Sequence, residues 1–339
     1  MSPLHLVVPD GIDDPLRASG GNLYDRRVGE ALAVAGRRVV EHQVAGTWPW
    51  PDEAATVALR DALAALPEGS TVLVDGLLAS ASPGVLVPAA GRLVVGVLVH
   101  LPLGVGRPAA RRAERDVLAA ARTVVATSAW TSGWLVRHYG LADVVTAPPG
   151  ADPAPVAAGS GTGGAMLCVG RASRDKGYDV LVGALESLGD LAWTCDWVGP
   201  VDDASPGPVG LVGLVGPLPP AAVAERYAGA DLVVLPSRVE TYGMVLTEAL
   251  ARGVPVLASD VGGVREAVGE ASDGRRPGLL VPPGDPGALA AALRGWLTDR
   301  DLRSSLRAAA LDRRASLAGW AETAARIADA LPVAAGVRS

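Results

Sequence analysis

The sequence predicts an α/β protein made of two doubly wound, Rossmann-like parallel-sheet domains that face a cleft. Three observations predict it. Short Val/Leu-rich runs alternate with longer Ala/Leu/Arg segments of helical period, the pattern of parallel strands under covering helices. The alternation stops at Pro148-Pro149-Gly150 and a run of Ala, Gly, Ser and Thr up to Gly164, then restarts. The length of 339 residues favours two domains.

In the first half, strands are expected at Leu4–Val8, Arg38–His42, Thr71–Asp75, Leu93–Val99, Thr123–Thr127 and Val144–Ala147. Helical segments such as Asn22–Ala35, Asp52–Ala65 and Pro108–Ala121 lie between them. In the second half the strands are Met166–Val169, Trp193–Val198, Gly210–Leu214, Leu232–Leu235 and Val254–Ala258. The expected boundaries are 1–148 for the first domain, 149–164 for a linker, 165–315 for the second domain and 316–339 for a terminal helical segment. In that last segment Trp320, Ala324 and Ile327 recur at helical spacing, so Leu317–Leu331 needs a surface, and the first domain is the expected one. Two such domains place the carboxyl ends of both sheets at a ligand-binding cleft.

Composition excludes several classes. Apolar residues are 49% and charged residues 19% of the chain, which is globular rather than disordered. A net charge of −6 argues against a nucleic-acid partner. Two cysteines, Cys168 and Cys195, each in an apolar run, make no secreted disulfide framework. Met1–Asp10 lacks a basic stretch followed by a long apolar run, so no signal peptide is expected. The most apolar stretch, Leu93–Val105, is interrupted by His100 and Pro102 and is too short to span a bilayer. A cytoplasmic protein, peripheral to membranes at most, is the expectation.

The strongest chemical signal runs from Pro236 to Val256. A buried strand ends at Leu235, a short loop carries Glu240, a helix starts near Gly243, and Glu248 lies about a turn and a half inside it. A helix start bare of side chain at Gly243 offers backbone N–H groups and a positive dipole end to a diphosphate or a sugar hydroxyl. Glu240 and Glu248 are placed to reach different parts of one extended ligand, not to flank one bond as a glycosidase pair does. The plain alternative for either residue alone is a loop carboxylate and a solvated helix carboxylate. Upstream, Gly170 ends a strand, Arg171 emerges at the carboxyl edge, and Lys176 follows just before the next helix. Two cations converging there can neutralise a diphosphate leaving group; a basic loop without a ligand is the alternative. Gly20 and Gly21, between Ser19 and Asn22 and ahead of a helix, suit close approach of a phosphate or a plain turn. His100 ends an apolar strand, where a cleft-facing role and a backbone hydrogen bond are equally open readings.

The block from Glu240 to Glu248, followed by Ala-Leu-Ala-Arg-Gly-Val-Pro-Val, resembles the donor-site motif of the retaining GT-B glycosyltransferases of family four (glycosyl transferases group 1). The resemblance implies that Glu240 hydrogen-bonds the transferred sugar, that Glu248 holds the donor ribose, and that the backbone of Tyr242, Gly243, Met244 and Val245 contacts sugar and phosphate. It also implies diphosphate contacts from Arg171 and Lys176, a phosphate-covering loop at Gly20 and Gly21, a base-packing segment at Gly216 and Leu218, and an active-site role for His100 near the donor sugar. Tyr242 stands where the family often has Phe. The first domain becomes an acceptor domain and the second a nucleotide-sugar domain. The implied reaction moves a hexose-type sugar from a UDP- or GDP-sugar to an unidentified small-molecule, lipid or glycan acceptor, with retention of configuration.

The residues fit retention, because the first loop carries Ser19, Gly20 and Gly21 and no histidine to serve as a displacement base, although Asp10, Asp13 and Asp14 lie near. Asp202-Asp203 and Asp13-Asp14 read as turn residues and no His/Cys cluster is apparent, so neither a metal nor a cofactor beyond the donor is expected. Arg111, Arg112, Arg115 and Arg122 read as a solvated helix face, with contact to an anionic acceptor or lipid surface as the alternative. A nucleotide-sugar epimerase, a phosphorylase or a catalytically silent binding subunit would share this fold; no pyridoxal-phosphate lysine motif supports the phosphorylase.

Overall fold

The computed structural model describes residues 2–12, 14, 19–202 and 210–331; Asp13 and Asp203, both expected in turns, lie outside them. The chain forms two compact units, one of Met1–Gly150 with the chain from Trp320, the other of Ala151–Gly319.

The first unit is a six-stranded parallel sheet in the order β2-β1-β3-β4-β5-β6. Its strands are β1 Leu4–Pro9, β2 Val39–Val44, β3 Thr71–Asp75, β4 Val94–Val99, β5 Thr123–Ala126 and β6 Val144–Thr146. Alternate residues of the strands feed two apolar layers. Val72, Val74, Val95 and Val97 pack with Leu59 and Leu63 of α2 (Glu53–Ala64), Leu78 of α3 (Gly76–Ala81), Leu86 of α4 (Pro83–Ala89), Val117 of α5 (Arg111–Ala120) and Leu135 of α6 (Ala129–Tyr139). On the other face Leu4, Leu6, Leu73 and Leu98 pack with Tyr24, Val28 and Leu32 of α1 (Gly20–Val34). The terminal helix Trp320–Ala330 completes this layer with Ala324 and Ile327, and Thr323 donates to the Pro148 carbonyl at 2.7 Å. The strand order reverses between β1 and β3, which makes their carboxyl ends the switch point at which doubly wound sheets bind ligands.

The second unit is a six-stranded parallel sheet in the order β12-β11-β10-β7-β8-β9. Its strands are β7 Ala165–Val169, β8 Thr194–Val198, β9 Gly213–Gly216, β10 Leu232–Leu235, β11 Val256–Ser259 and β12 Gly278–Val281. One face is covered by α7 (Tyr178–Leu185), α11 (Pro286–Thr298) and α12 (Arg300–Arg313), the other by α8 (Pro220–Gly229), α9 (Met244–Ala251) and α10 (Val264–Val268). The terminal helix of the first unit is therefore α13. The order reverses between β7 and β10.

Three details depart from the sequence reading. Strand β9 lies further along than Gly210–Leu214. Strand β12 was not expected, because four residues closed in by prolines carry no periodic signal; a Cβ at Gly278 would come within 2.2 Å of the Val256 carbonyl of β11. The segment 149–164 has no regular secondary structure, but it is not a free tether. Ala157 is buried and donates to the Arg252 carbonyl at 3.0 Å, while Arg307 and Arg314 donate to the carbonyls of Ala157 and Ala154. Those guanidinium bonds hold the segment on the second unit. Among the described residues no helix is long and apolar enough to cross a membrane. Cys168 and Cys195 are buried and unbridged.

Candidate active site

In the second unit the loops leaving β7 and β10 meet at the switch point. They come this close because Gly177, at φ +74°, would place a Cβ 1.9 Å from the Pro236 carbonyl. Gly262, at φ +59°, would place one 1.6 Å from the Glu240 carbonyl, so it clasps the Glu240 loop from the far side. Within this clasp Lys176 Nζ donates to Glu240 Oε2 at 2.7 Å, across 64 residues of sequence. The glutamate is the more shielded partner, its side chain 13% exposed against 35% for the lysine. Arg171 stands further out and pairs with Asp202 at 3.2 Å, so one of the aspartates read as a turn residue is the resting partner of an expected phosphate ligand.

Helix α9 begins at Gly243, which has φ +97° and gives the helix no side-chain cap. The first bond of the helix runs from the Leu246 amide to the Gly243 carbonyl at 2.9 Å, so the amides of Met244 and Val245 precede the intrahelical ladder. Tyr242 is buried against Leu235 and Leu246, and burial pushes its hydroxyl up to about 12. Of the residues expected at a donor site, Tyr242 is thus one whose side chain is taken up by the apolar core. Glu248 Oε2 accepts from the Tyr227 hydroxyl at 2.8 Å, and the Arg252 guanidinium lies 4.8 Å from the centre of that ring. Burial raises the Glu248 carboxyl above the usual range, against the Tyr227 hydrogen bond and Arg252. Gly216 ends β9 at φ +78°, and its carbonyl accepts from the Gly199 amide at 2.9 Å; Leu218 packs on the apolar layer under α8 and α9.

A half-buried carboxyl with a raised pKa has a defined effect on stability. Above the unfolded carboxyl pKa the unfolded chain releases the Glu248 proton while the folded chain retains it. Stability from this group is complete below the unfolded value and falls as pH rises towards the folded one. Glu248→Gln keeps an acceptor for Tyr227 and removes the ionisation. Its thermal midpoint should exceed that of the wild type at neutral pH and converge with it in mild acid, as scanning calorimetry across that range will read.

In the first unit Gly20 and Gly21 do not form a loop ahead of a helix: they are the first residues of α1, which Ser19 caps by accepting from the Asn22 amide at 3.1 Å. A Cβ on Gly21 would lie 3.3 Å from the His100 ring, so the structure brings these two expected site residues together. His100 does not settle for a backbone partner. Its Nε2 lies 2.8 Å from Asp25 Oδ1 and 3.3 Å from Asp75 Oδ2. Asp75 ends β3 and also accepts from the Leu77 amide at 2.7 Å, while Asp25 comes from the second turn of α1. The sequence reading gave neither aspartate a role in a site. A carboxylate closing a strand, as Asp75 does, is the signal that was available; Asp25 gave none. Burial disfavours a charged His100, but the two carboxylates outweigh it and raise its pKa; burial raises Asp25 too. The three ligand atoms lie within 4.8 Å of one another, a cluster that the expectation of no metal-binding group did not foresee. Nε2 stands within hydrogen-bond reach of both carboxylates. Arg112 and Arg115 pair with Asp116 on the outer face of α5, and Arg111 donates to the Gly104 carbonyl.

The residues of the second site fall inside a known sequence pattern: the model for glycosyl transferases group 1 matches residues 163–299. Residues 163–299 belong to glycosyl transferases group 1. The D-inositol 3-phosphate glycosyltransferase of Kineococcus radiotolerans is 36% identical over 248 residues, 62% of this chain and 57% of that protein. D-inositol 3-phosphate glycosyltransferase 1 of Catenulispora acidiphila is 33% identical over 256 residues, 66% of this chain and 60% of that protein. The chain thus spans less than two thirds of either relative. Among solved structures, sucrose-phosphate synthase from Thermosynechococcus elongatus matches with a TM-score of 0.76 at 23% identity, covering 97% of this chain and 98% of that one. Anabaena HepE in complex with UDP and glucose matches with a TM-score of 0.75 at 16% identity, covering 98% and 99%. The fold is GT-B. The group 1 segment contains Arg171, Lys176, Gly216, Leu218, Glu240, Tyr242, Gly243, Met244, Val245 and Glu248; Gly20, Gly21 and His100 lie outside it.

Proposed function

We infer that this chain is a retaining, metal-independent glycosyltransferase of the cytoplasm that moves a hexose-type sugar from a UDP- or GDP-sugar to an acceptor served by the first unit. The observation that carries this reading is the Lys176–Glu240 pair at the switch point of the second sheet, with Arg171 beside it and Glu248 inside the adjoining helix. In the proposed mechanism Arg171, Lys176 and the amides of Met244 and Val245 take up the charge that develops on the departing diphosphate. Glu240, released from Lys176, accepts from hydroxyls of the transferred sugar, and Glu248 accepts from the ribose. Gly216 and Leu218 form a bed for the base; in the first unit Gly20, Gly21 and His100 are the residues proposed to meet a substrate.

With no histidine in the opening loop to take the acceptor proton, the departing phosphate accepts it, and attack occurs on the leaving-group face. Fixed cations and helix-end amides do the work of a divalent ion at the leaving group. The names of the matched relatives make a phosphorylated cyclitol, D-inositol 3-phosphate, the first acceptor to try. Transfer followed by proton NMR in excess EDTA tests the reading: the first-formed product should keep the donor's anomeric configuration at close to the untreated rate. An inverted coupling would overturn retention, and activity lost in EDTA and restored by Mg or Mn would overturn metal independence.

A further inference from the structure

Asp25 and Asp75 have no place in the mechanism above, yet they are the most deeply buried charged groups beside a proposed site residue. Their side chains are 1% and 4% exposed, and both converge on one nitrogen of His100, whose own side chain is 16% exposed. Two independent elements supply them, α1 and the end of β3, and they meet at the switch point of the first sheet. Nδ1 of His100 meets no partner among the described residues. Gly21 lies against one edge of the ring and Tyr24 packs edge-on against it at 5.1 Å, held in turn by its hydroxyl's bond to the Ala147 carbonyl at 2.8 Å. These contacts and the two bonds to Nε2 hold the ring in this orientation. One further atom points the same way: Asp25 Oδ2 is buried without a hydrogen-bond partner, and against burial and the nearby Asp75 it is the imidazole that favours the charged carboxylate.

We propose that Asp25 and Asp75 are positioning residues that hold His100 by Nε2 and keep it doubly protonated, so that Nδ1–H is a fixed hydrogen-bond donor to a substrate oxygen and not a base. This rests on the glycosyltransferase reading for the substrate, but the state of the imidazole does not depend on it. Two carboxylates facing one nitrogen favour the cation, and a doubly protonated ring cannot accept a proton from an attacking hydroxyl. The arrangement fits a reaction in which the departing phosphate takes that proton. Among the described residues the titratable groups facing the ring are Asp25 and Tyr24 from α1 and Asp75 from β3; Tyr24 is buried, which pushes its hydroxyl up and keeps it neutral.

The test uses the full chain. Nitrogen-15 NMR of the His100 ring should show both nitrogens protonated at neutral pH in the wild type. Asp25→Asn should bring deprotonation of the ring down into the neutral range. Asp75→Asn should do so more weakly, since Asp75 stands at the longer distance from Nε2 and the substituted side chain can still accept from the Leu77 amide. Unchanged ring titration in both variants overturns the proposal. A melting curve separates a misfolded variant from a folded one, and Asp25→Ser serves if Asp25→Asn does not fold.

The second arm measures turnover of UDP-glucose or GDP-mannose. His100→Ala should lower kcat by about tenfold or more. Adding Asp25→Asn to His100→Ala should change nothing further, because Asp25 acts through the histidine. Additive losses overturn the positioning role. Unaltered kcat in His100→Ala overturns the donor role; if Glu248→Ala is then silent as well, it is the glycosyltransferase reading that has failed.

Discussion

Replacing Lys176 by alanine is expected to lower sugar transfer by on the order of 10²–10³-fold. The structure explains why the loss should exceed that from removing a surface charge. Lys176 is the only cation that the described residues place within a salt-bridge distance of Glu240, and the Gly177 and Gly262 approaches fix both loops that carry the pair. Truncation therefore removes a cation from the leaving group and leaves a shielded carboxylate uncompensated beside an anionic ligand. Binding of the free nucleotide diphosphate should weaken by about tenfold or more, since a charge-assisted contact is lost. Arg171→Ala should also weaken it, without the second penalty, because Arg171 rests on the half-exposed Asp202 and frees no buried charge. Lys176→Arg keeps the charge, but a planar fork replaces a compact ammonium and rescue should be partial. Steady-state kinetics with titration calorimetry decides this. Lys176→Ala within about threefold of wild type would remove the diphosphate role.

The two glutamates should separate cleanly. Glu240→Gln should leave the affinity for free nucleotide close to that of the wild type and cut transfer by on the order of 10²-fold, because its carboxylate serves the sugar only as the reaction proceeds. Glu248→Ala should weaken free nucleotide and nucleotide sugar alike, by about tenfold or more. Their surroundings support the division. Glu240 lies in a loop and is neutralised by a lysine that a phosphate can draw away. Glu248 is half-buried on α9 and oriented by the Tyr227 hydroxyl, as suits a group that binds one fixed diol. Calorimetry in which Glu240→Gln loses free nucleotide as badly as Glu248→Ala would refute this assignment.

Both sheets were legible because buried parallel strands write themselves as unbroken Val/Leu runs: Thr71–Asp75 and Leu232–Leu235 match the structure to the residue. Strand Gly278–Val281 was not, since a four-residue edge strand between prolines has no period to detect. The glycines at 20 and 21 looked like a turn because glycine disfavours helix interiors, yet the Ser19 cap lets the helix begin on them. Lys176 and Glu240 were each visible as chemistry, but their salt bridge depends on how β7 and β10 come to be neighbours, which local pattern does not encode. Asp25 was the hardest to see: in the sequence it is one polar residue in an amphipathic helix, and only the switch point of the sheet turns it towards His100. The segment 149–164 misled in the opposite sense, because its composition is that of a linker while its carbonyls are held by arginines from far downstream.

The central claim is that the second unit holds a nucleotide diphosphate sugar at Lys176, Glu240 and Glu248 without a metal. Thermal unfolding in EDTA against a panel of nucleotide diphosphates and nucleotide sugars tests it most directly, since a ligand that binds only the folded chain raises the midpoint. The account predicts that UDP or GDP and its sugars raise the wild-type midpoint and that Glu248→Ala abolishes the rise. A panel in which none of them moves the wild type, or in which Glu248→Ala responds as the wild type does, would contradict it.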